Sequence, residues 1–227
     1  KECSCGDTMC TADTGFHCFS HLHHCAASDT VAESILATQK FCSPNDLAGL
    51  KNALDACFLE SSSGNCPNFA AGVSGVGCGD GGSVNGVIAD WDVSKITSMK
   101  TLFDGRTLFN QDLSRWDVSN VKNMVATFKG CAKFNADLSK WDVSQVTTMT
   151  YMFYRNYVFN QDLSKWVVSK VNTMEEMFFE ATVFNGNITT WQVDKVINME
   201  RMFWKARLFN ADLSNWDVRE VATMKDM

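Results

Sequence analysis

The apolar positions of this chain repeat with a strict period of 25 residues from residue 84 to its last residue. If each tryptophan of the repeat is counted as position 1, position 3 is valine, position 6 is valine or isoleucine, and position 9 is methionine. Positions 13 and 19 are phenylalanine, and position 23 is leucine or isoleucine. A fixed period of roughly 20 to 50 residues is typical of repeat proteins, whose stacked units bury a shared core. The tryptophans that mark the units are Trp91, Trp116, Trp141, Trp166, Trp191 and Trp216.

The apolar spacing within one unit predicts two kinds of local structure. Leu113, Trp116 and Val118, at positions 23, 1 and 3, follow the pattern L-x-x-L-x-L, and the last two alternate as on a short strand. Positions 6, 9, 12 and 13 recur at helical spacing after a serine at position 4 that can cap a helix. We therefore predict an α/β repeat fold, a leucine-rich-repeat-like solenoid with parallel short strands and short helical or 3₁₀ convex segments. We expect the tryptophans to be buried, because position 1 is on the inward phase.

A column of asparagines lies at position 20 of the repeat. An amide carries both donors and acceptors, so stacked copies can satisfy turn backbone groups that helix and strand leave unpaired. We therefore expect this column to be structural. Its members are Asn85, Asn110, Asn135, Asn160, Asn185 and Asn210.

The part of the chain before the repeats divides into two segments. We predict a small, helical, disulfide-rich domain at residues 1–71 and a glycine-rich boundary turn at 72–83, with the solenoid at 84–227 and its last unit incomplete. The glycine-rich stretch lacks the G-K-[ST] sequence of a phosphate-binding loop.

Two stretches of the first domain resemble helix N-termini. They are "TVAE" at 30–33 and "SPND" at 43–46, the second with proline at the first helical position. Leu47, Leu50 and Leu54 then lie on one helical face with Phe58. We therefore expect two or more helices tied together by disulfides.

Nine of the ten cysteines fall in the first 78 residues. This density in a small domain is typical of a disulfide framework made in an oxidising compartment. We therefore predict a secreted or cell-surface protein, or alternatively one in the lumen of a secretory-pathway compartment, and expect a signal peptide to have been removed. The disulfide candidates are Cys3, Cys5, Cys10, Cys18, Cys25, Cys42, Cys57, Cys66 and Cys78.

The tenth cysteine, Cys131, lies alone within the repeats at position 16. We expect it to be a packed thiol outside the disulfide framework. An odd number of cysteines then remains in the head, so one of them stays reduced, pairs with Cys131 or bonds another chain.

Charge and hydropathy exclude two classes of partner. Residues 1–80 contain three Lys or Arg against nine Asp or Glu, whereas 81–227 contain seventeen of each sign. No basic run exists to neutralise phosphates, so we expect no nucleic-acid partner. No apolar run approaches about 18 residues, so we expect no membrane span in this segment.

The repeated segments "FNQDLSRWDVSNVKNM", "FNADLSKWDVSQVTTMTYMF" and "GCAKFN" resemble the BspA-type leucine-rich repeats, a 25-residue family first found in mycoplasma surface proteins. The resemblance covers about residues 84–227. It implies a leucine-rich-repeat solenoid, and surface-exposed or secreted proteins associated with adhesion and partner binding. It implies no reaction, and it does not extend to the cysteine-rich head.

The repetition fails most in neighbouring units near the C-terminus. Five residues, which we call the irregular patch, replace the usual side chains at positions 2, 4 and 25, which the predicted strand would turn outward. We expect a partner contact there, while drift in a terminal unit is the competing interpretation. The irregular patch consists of Val167, Thr190, Gln192, Asp194 and Arg219.

Two further residues are candidates for surface roles. Trp204, at position 14, lies outside the tryptophan column and is a candidate contact aromatic. Asn187 begins "NIT" where other units have "DLS", the only N-x-[ST] sequence of the chain, and so is a candidate glycosylation site.

All four histidines, His17, His21, His23 and His24, lie in "HCFSHLHHC" between or beside Cys18 and Cys25. Histidine and cysteine at this density can bind zinc or copper. Zinc needs thiolates, however, and oxidation would convert them to disulfides. We therefore predict no metal and no other cofactor, and keep a metal-binding head as the alternative.

These features favour a non-catalytic protein. An enzyme would need a nucleophile with a base, or paired carboxylates in a pocket, and the aspartates here are a periodic surface. We expect an extracellular interaction or structural module that acts through protein contacts or surface adhesion. The alternatives are a zinc- or copper-binding head with the solenoid as a spacer, and a subunit of a larger extracellular assembly. The last unit stops at Met227, at position 12, and we expect the natural chain to continue.

Overall fold

The computed structural model describes residues 46–65 and 88–227, and the backbone of four short strands near the N-terminus. Strand β1 (Cys3–Cys5) pairs antiparallel with β2 (Thr8–Cys10), and β3 (His17–Phe19) pairs antiparallel with β4 (His24–Ala26). The head was expected to be helical, and its described parts are these two hairpins and one helix.

The described helix, α1 (Leu47–Glu60), begins three residues later than the sequence pattern suggested. Its N-cap is Asp46 rather than Ser43, because the Asp46 carboxylate accepts a hydrogen bond from the Gly49 backbone N–H at 2.8 Å. This bond satisfies one of the N–H groups that the first helical turn leaves unpaired. The stretch 30–33, the other expected helix start, lies outside the described residues.

Helix α1 packs on the first repeat unit. Leu50 and Leu54 are buried in the same apolar core as the repeats, with Leu47 and Phe58 at its edge. The Phe58 ring meets Phe109 edge-on at 5.9 Å. The segment 46–65 was assigned to the cysteine-rich head, and its apolar face covers the N-terminal end of the repeat core.

Polar contacts fix the same interface. The Lys51 amine donates to the Thr101 hydroxyl at 2.7 Å, and Arg106 forms an ion pair with Asp55. The Arg106 guanidinium also lies 4.4 Å from the centre of the Phe58 ring. Helix α1 is therefore held by both apolar and polar contacts to unit 1.

After a 3₁₀ turn (Ile88–Asp90), the chain forms units that start at each repeat tryptophan. We number them unit 1 (91–115), unit 2 (116–140), unit 3 (141–165), unit 4 (166–190), unit 5 (191–215) and unit 6 (216–227). Isolated parallel bridges join position 8 of each unit to position 8 of the next, from Ser98–Asn123 to Asn198–Thr223. Backbone N–H groups at positions 9, 11, 13 and 15 of unit 1 donate to carbonyls of unit 2 at 2.8–2.9 Å.

The segment between positions 9 and 16 is a run of turns instead of the expected helical segment. Its residues at positions 11 and 15 have positive φ, as in Tyr151 (59°) and Glu180 (54°). A left-handed residue breaks an α-helix, and here it directs the N–H group to the next unit instead of back along the chain. Inter-unit hydrogen bonds thus replace the intrahelical bonds that the apolar spacing had suggested.

The core consists of aligned aromatic columns. Phe153, at position 13, stacks on its equivalents Phe128 and Phe178 at ring distances of 5.7 and 5.5 Å. The position-19 ring of the same unit, Phe159, lies 4.1 Å from it. Both columns are fully buried in units 1 to 4.

The tryptophan column is buried, as predicted, and it also hydrogen-bonds between units. The Trp141 indole N–H donates to the Leu113 carbonyl at 3.0 Å, and the equivalent bond recurs from Trp116 to Trp216 at 2.8–3.3 Å. The strand expected at positions 23 to 3 is absent there. Backbone turns such as Trp141 N–H to Leu138 C=O occupy these positions, so burial alone explains the apolar pattern.

The position-20 asparagines form a ladder of the expected structural kind. Each side-chain oxygen accepts a hydrogen bond from the backbone N–H of the next asparagine, at 2.7–2.9 Å, from Asn110–Asn135 to Asn185–Asn210. Asn85 lies outside the described residues. Cys131 is a buried thiol whose Sγ donates to the Phe103 carbonyl at 3.0 Å, and burial raises its pKa above the usual range.

Candidate functional site

Three members of the irregular patch line one surface cleft where units 5 and 6 meet. The cleft holds about 450 Å³, and the edges of the buried Trp191 and Val193 form its floor. Thr190, Gln192 and Asp194 are all exposed at its rim. The complete lining is Thr189, Thr190, Trp191, Gln192, Val193, Asp194, Asn215 and Asp217.

Local turns position these side chains. Thr190 Oγ1 donates to the Ser164 carbonyl of unit 3 at 2.7 Å, and this hydrogen bond fixes the side chain to the preceding unit. Gln192 and Asp194 flank Val193, which is 1% exposed and anchors the backbone between them. The cleft therefore has a fixed backbone and outward polar side chains.

An ion pair bounds the cleft on the side of unit 6. Arg219 donates to both oxygens of Asp217, at 2.9 and 2.6 Å, and this hydrogen bonding lowers the pKa of Asp217 to about 2. The guanidinium side chain is 86% exposed. Because both groups lie in water, the pair orients Arg219 more than it stabilises the fold.

A comparable cleft at the junction of units 1 and 2 shows what the irregular residues change. There, position 25 carries charged side chains, and Arg115 forms an ion pair with Asp90 across the rim. In the cleft at the junction of units 5 and 6, position 25 is Thr190 at the end of unit 4 and Asn215 at the end of unit 5, and both are uncharged. The cleft between units 5 and 6 thus presents hydroxyl and amide groups where the cleft between units 1 and 2 presents a closed ion pair.

The remaining member of the irregular patch extends the surface by one unit. Val167 occupies position 2, one unit before Gln192, and its side chain is 54% exposed. It replaces an aspartate that in unit 3, as Asp142, accepts a hydrogen bond from the Ser144 N–H at 2.9 Å. The substitution removes both a charge and a turn hydrogen bond, and it leaves an apolar side chain in water.

Trp204 does not line this cleft. It is 38% exposed and belongs to a column at position 14 that also contains Tyr154 and Phe179, whose rings stack at 4.7 Å. The tryptophan pattern singled out only Trp204, although Tyr154 and Phe179 occupy the same position of the two preceding units. The stack covers one ring face of Tyr154 and one of Phe179, and these faces are not open to a partner.

Charged residues at position 15 border this aromatic column. The Glu180 carboxylate accepts from Arg155 at 3.0 Å and from Lys205 at 2.8 Å. The bond from Lys205 is the main cause that lowers the pKa of Glu180. These charges are mutually paired, which makes the column a stabilised surface and a weaker candidate for a contact than the cleft.

The histidine-rich segment and its metal alternative fall where no side chain is described. His17 and His24 lie on β3 and β4, whereas His21 and His23 are outside the described residues. Within residues 46–65 and 88–227, no group of three His, Cys, Asp or Glu side chains is arranged to hold a metal ion. Of the disulfide candidates, Cys57 is described with its side chain, and it is disulfide-bonded.

Helix α1, at 14 residues, is too short to cross a bilayer. No helix of the described residues is both long enough and apolar enough to do so. This finding concerns residues 46–65 and 88–227, together with the backbone of the four strands.

Asn187, the glycosylation candidate, has an exposed side chain at position 22 beside the cleft.

Comparison with known proteins gives one family. The model of the family described as "Mycoplasma protein of unknown function, DUF285" matches residues 78–182 and again 142–227. Together the two matches cover the repeats and about two thirds of the chain. Neither the curated proteins nor the solved structures gave a match to this chain.

Proposed function

We propose, from the premise that this chain belongs to the family of Mycoplasma proteins of unknown function, DUF285, that it is an extracellular or cell-surface interaction module. It binds a protein partner through its repeats and catalyses no reaction. The cleft at the junction of units 5 and 6 is the contact site. We further propose that the units are BspA-type leucine-rich repeats, which the 25-residue period and the repeated "FNxDLSxWDVS" segments favour.

The observation that carries the proposal is the convergence of three departures from the repeat on one cleft. Thr190, Gln192 and Asp194 replace the Lys, Asp and Ser of a regular unit, and all three are exposed around a rigid apolar floor. The positions equivalent to Thr190 and Gln192 also line the cleft between units 1 and 2, so the three changes alter the chemistry of one cleft of the repeat. A protein surface that offers hydrogen-bond donors and a basic group would complement the hydroxyl, amide and carboxylate groups of this rim.

The disulfide at Cys57 supports an extracellular location. Disulfides persist in secreted proteins and in the secretory pathway, and thiols stay reduced in the cytosol. Cys57 is fully buried on helix α1, which covers the first unit. A disulfide on the helix that covers the first unit suits an oxidising environment.

Site-specific photo-crosslinking tests the contact. A photoreactive amino acid replaces Gln192 in one variant and Asp142, in the same column two units earlier, in the control. Each is incubated with the extracellular fraction of the source organism. We expect one discrete protein adduct from position 192 and none from position 142.

Competition with regularised chains decides whether the irregular side chains matter. The variant Thr190→Lys, Gln192→Asp, Asp194→Ser gives the cleft the residues of regular units and should not suppress the adduct in tenfold excess. The mirror variant Lys140→Thr, Asp142→Gln, Ser144→Asp leaves the cleft intact and should suppress it like the wild type. Equal suppression by both variants would refute the cleft as the contact.

A further inference from the structure

Position 22 of the repeat differs chemically at one unit. Units 1, 2, 3 and 5 have aspartate followed by Leu-Ser, whereas unit 4 has Asn187-Ile188-Thr189. This is the only N-x-[ST] sequence in the chain, and such a sequence is the acceptor of N-linked glycosylation in secreted proteins. We infer that Asn187 carries an N-linked glycan at the edge of the cleft.

The turn around Asn187 holds the acceptor side chain outward. Its Oδ1 accepts hydrogen bonds from the Thr189 N–H at 3.1 Å and the Thr189 hydroxyl at 2.8 Å. Asp137 and Asp162 accept the corresponding Ser N–H bonds at 2.8 Å, so the same turn forms with either side chain. What the asparagine adds is Nδ2, an amide nitrogen on an exposed side chain.

The backbone beside this side chain is fixed to the preceding unit. The Asn187 carbonyl accepts a hydrogen bond from the Leu163 N–H at 3.2 Å, and Ile188 is fully buried. Glycine at position 186 permits this approach, because a Cβ there would lie 2.1 Å from the Gln161 carbonyl oxygen. A glycan on Nδ2 would therefore project from a rigid backbone and displace no core residue.

The transfer of the glycan requires one co-substrate, a lipid-pyrophosphate-linked oligosaccharide. The bond between the sugar C1 and the pyrophosphate oxygen breaks while the bond between C1 and Asn187 Nδ2 forms. Nδ2 loses one proton to solvent, and the lipid pyrophosphate leaves. The product is an uncharged secondary amide whose oxygen can still accept the two Thr189 hydrogen bonds.

The neighbouring units offer hydrogen-bond acceptors for the attached sugar. Asp162 and Asp212 occupy position 22 on either side of Asn187 and are exposed. Hydrogen bonds from Ser164 and Ser214 lower the pKa of these two carboxyl groups, so both are charged at neutral pH. Sugar hydroxyls can donate to such carboxylates.

Mass spectrometry of the chain purified from its native source tests the inference. We expect a peptide containing Asn187 to carry a hexosamine-linked mass that peptide N-glycosidase removes, leaving aspartate at position 187. A native peptide that is unmodified at Asn187 would overturn the proposal. The measurement is independent of the proposed partner contact, which can fail while the glycan is present.

Two variants made in a glycosylating secretory host test the structural argument. Asn187→Gln should abolish the mass shift, with circular dichroism confirming that the chain is folded. Adding Asp137→Asn to that variant makes an acceptor sequence at the equivalent position of unit 2 and should restore the shift. Failure to restore it in folded protein would contradict the view that position 22 is open to a glycan.

Discussion

At the scale of single residues, the indole N–H of each column tryptophan from Trp116 to Trp216 hydrogen-bonds to a backbone carbonyl 28 residues earlier. Trp141 is 3% exposed, and its N–H donates to the Leu113 carbonyl at 3.0 Å. The substitution Trp141→Phe removes this donor, leaves the Leu113 carbonyl with the Trp116 backbone N–H alone (3.1 Å) and reduces the packed volume. We expect it to lower the free energy of unfolding by about 2–4 kcal/mol.

Urea unfolding checks this expectation, with Trp204→Phe as the matched control. Trp204 is 38% exposed and lies outside the tryptophan column. Surface substitutions of this kind change stability by about 0.5 kcal/mol or less. Equal shifts of the unfolding midpoint in the two variants would show that the indole bond contributes nothing.

The position-22 aspartates make the stability of the repeats depend on acid. Backbone N–H bonds from the following serines hold the pKa values of Asp112, Asp137 and Asp162 below the usual 3.8. A group whose folded pKa is lowered contributes fully above its unfolded pKa, and the contribution is lost as pH falls through the folded pKa. The wild type should therefore lose stability as pH falls below about 5.

A triple Asn variant of these aspartates separates the charge from the turn. The amide oxygen can accept the same N–H bond, as it does at Asn187, so the variant should retain the turns at pH 7. Urea midpoints measured from pH 7 to about pH 2 in protein from a non-glycosylating host should fall less steeply for the variant. Identical slopes would contradict the assigned role of the three carboxylates.

At the scale of elements, helix α1 is the cover of the first unit. Leu54 is 1% exposed in the interface, whereas Leu59, on the same helix, is 89% exposed. Leu54→Ala should cost about 2–5 kcal/mol, and Leu59→Ala about 0.5 kcal/mol or less. Thermal unfolding of the two variants measures this difference.

Hydrogen exchange locates the effect of losing this cover. The amide N–H groups of Met99 and Phe103 donate from unit 1 to unit 2 and should exchange faster in Leu54→Ala. The corresponding groups of unit 4, Met174 and Phe178, should change less. Uniform acceleration across both units would argue against a local capping role.

For these elements, the sequence predicted the burial of side chains better than it predicted the backbone conformation. The face of α1 formed by Leu50 and Leu54 is buried, and so is the tryptophan column. The bridges at position 8 and the left-handed residues such as Glu176 were missed, because apolar spacing reports burial and not backbone dihedral angles. No glycine marks position 11 in any unit, and at position 15 Gly105 and Gly130 mark two units, so the usual glycine signal covers few of the left-handed positions.

The candidate site shows the same division. Comparing units column by column identified Thr190, Gln192 and Asp194 without coordinates. Their common cleft was not predictable, because its floor depends on how the Trp191 ring packs between successive units. The aromatic column at position 14 was within reach of the same comparison.

At the scale of the whole molecule, stability depends on contacts between neighbouring units. Such stacks behave approximately as a one-dimensional array of unit and interface energies. Phe153 lies near the middle of the array, is fully buried and stacks on Phe128 and Phe178. Truncating it weakens the interfaces on both sides of unit 3.

We expect Phe153→Ala to cost about 3–5 kcal/mol and to divide unfolding into two steps. Hydrogen exchange measured along a urea series at the Phe103 and Met174 amide groups, which lie before and after the break and donate to the next unit, should then report different midpoints. Phe203→Ala is the control, because Phe203 is only partly buried in unit 5 and lies far from the middle. The two midpoints should lie closer together in Phe203→Ala than in Phe153→Ala, because unit 3, which separates the two reporters, is unchanged. Coincident midpoints in Phe153→Ala would mean that cooperativity extends across the repeats beyond nearest neighbours.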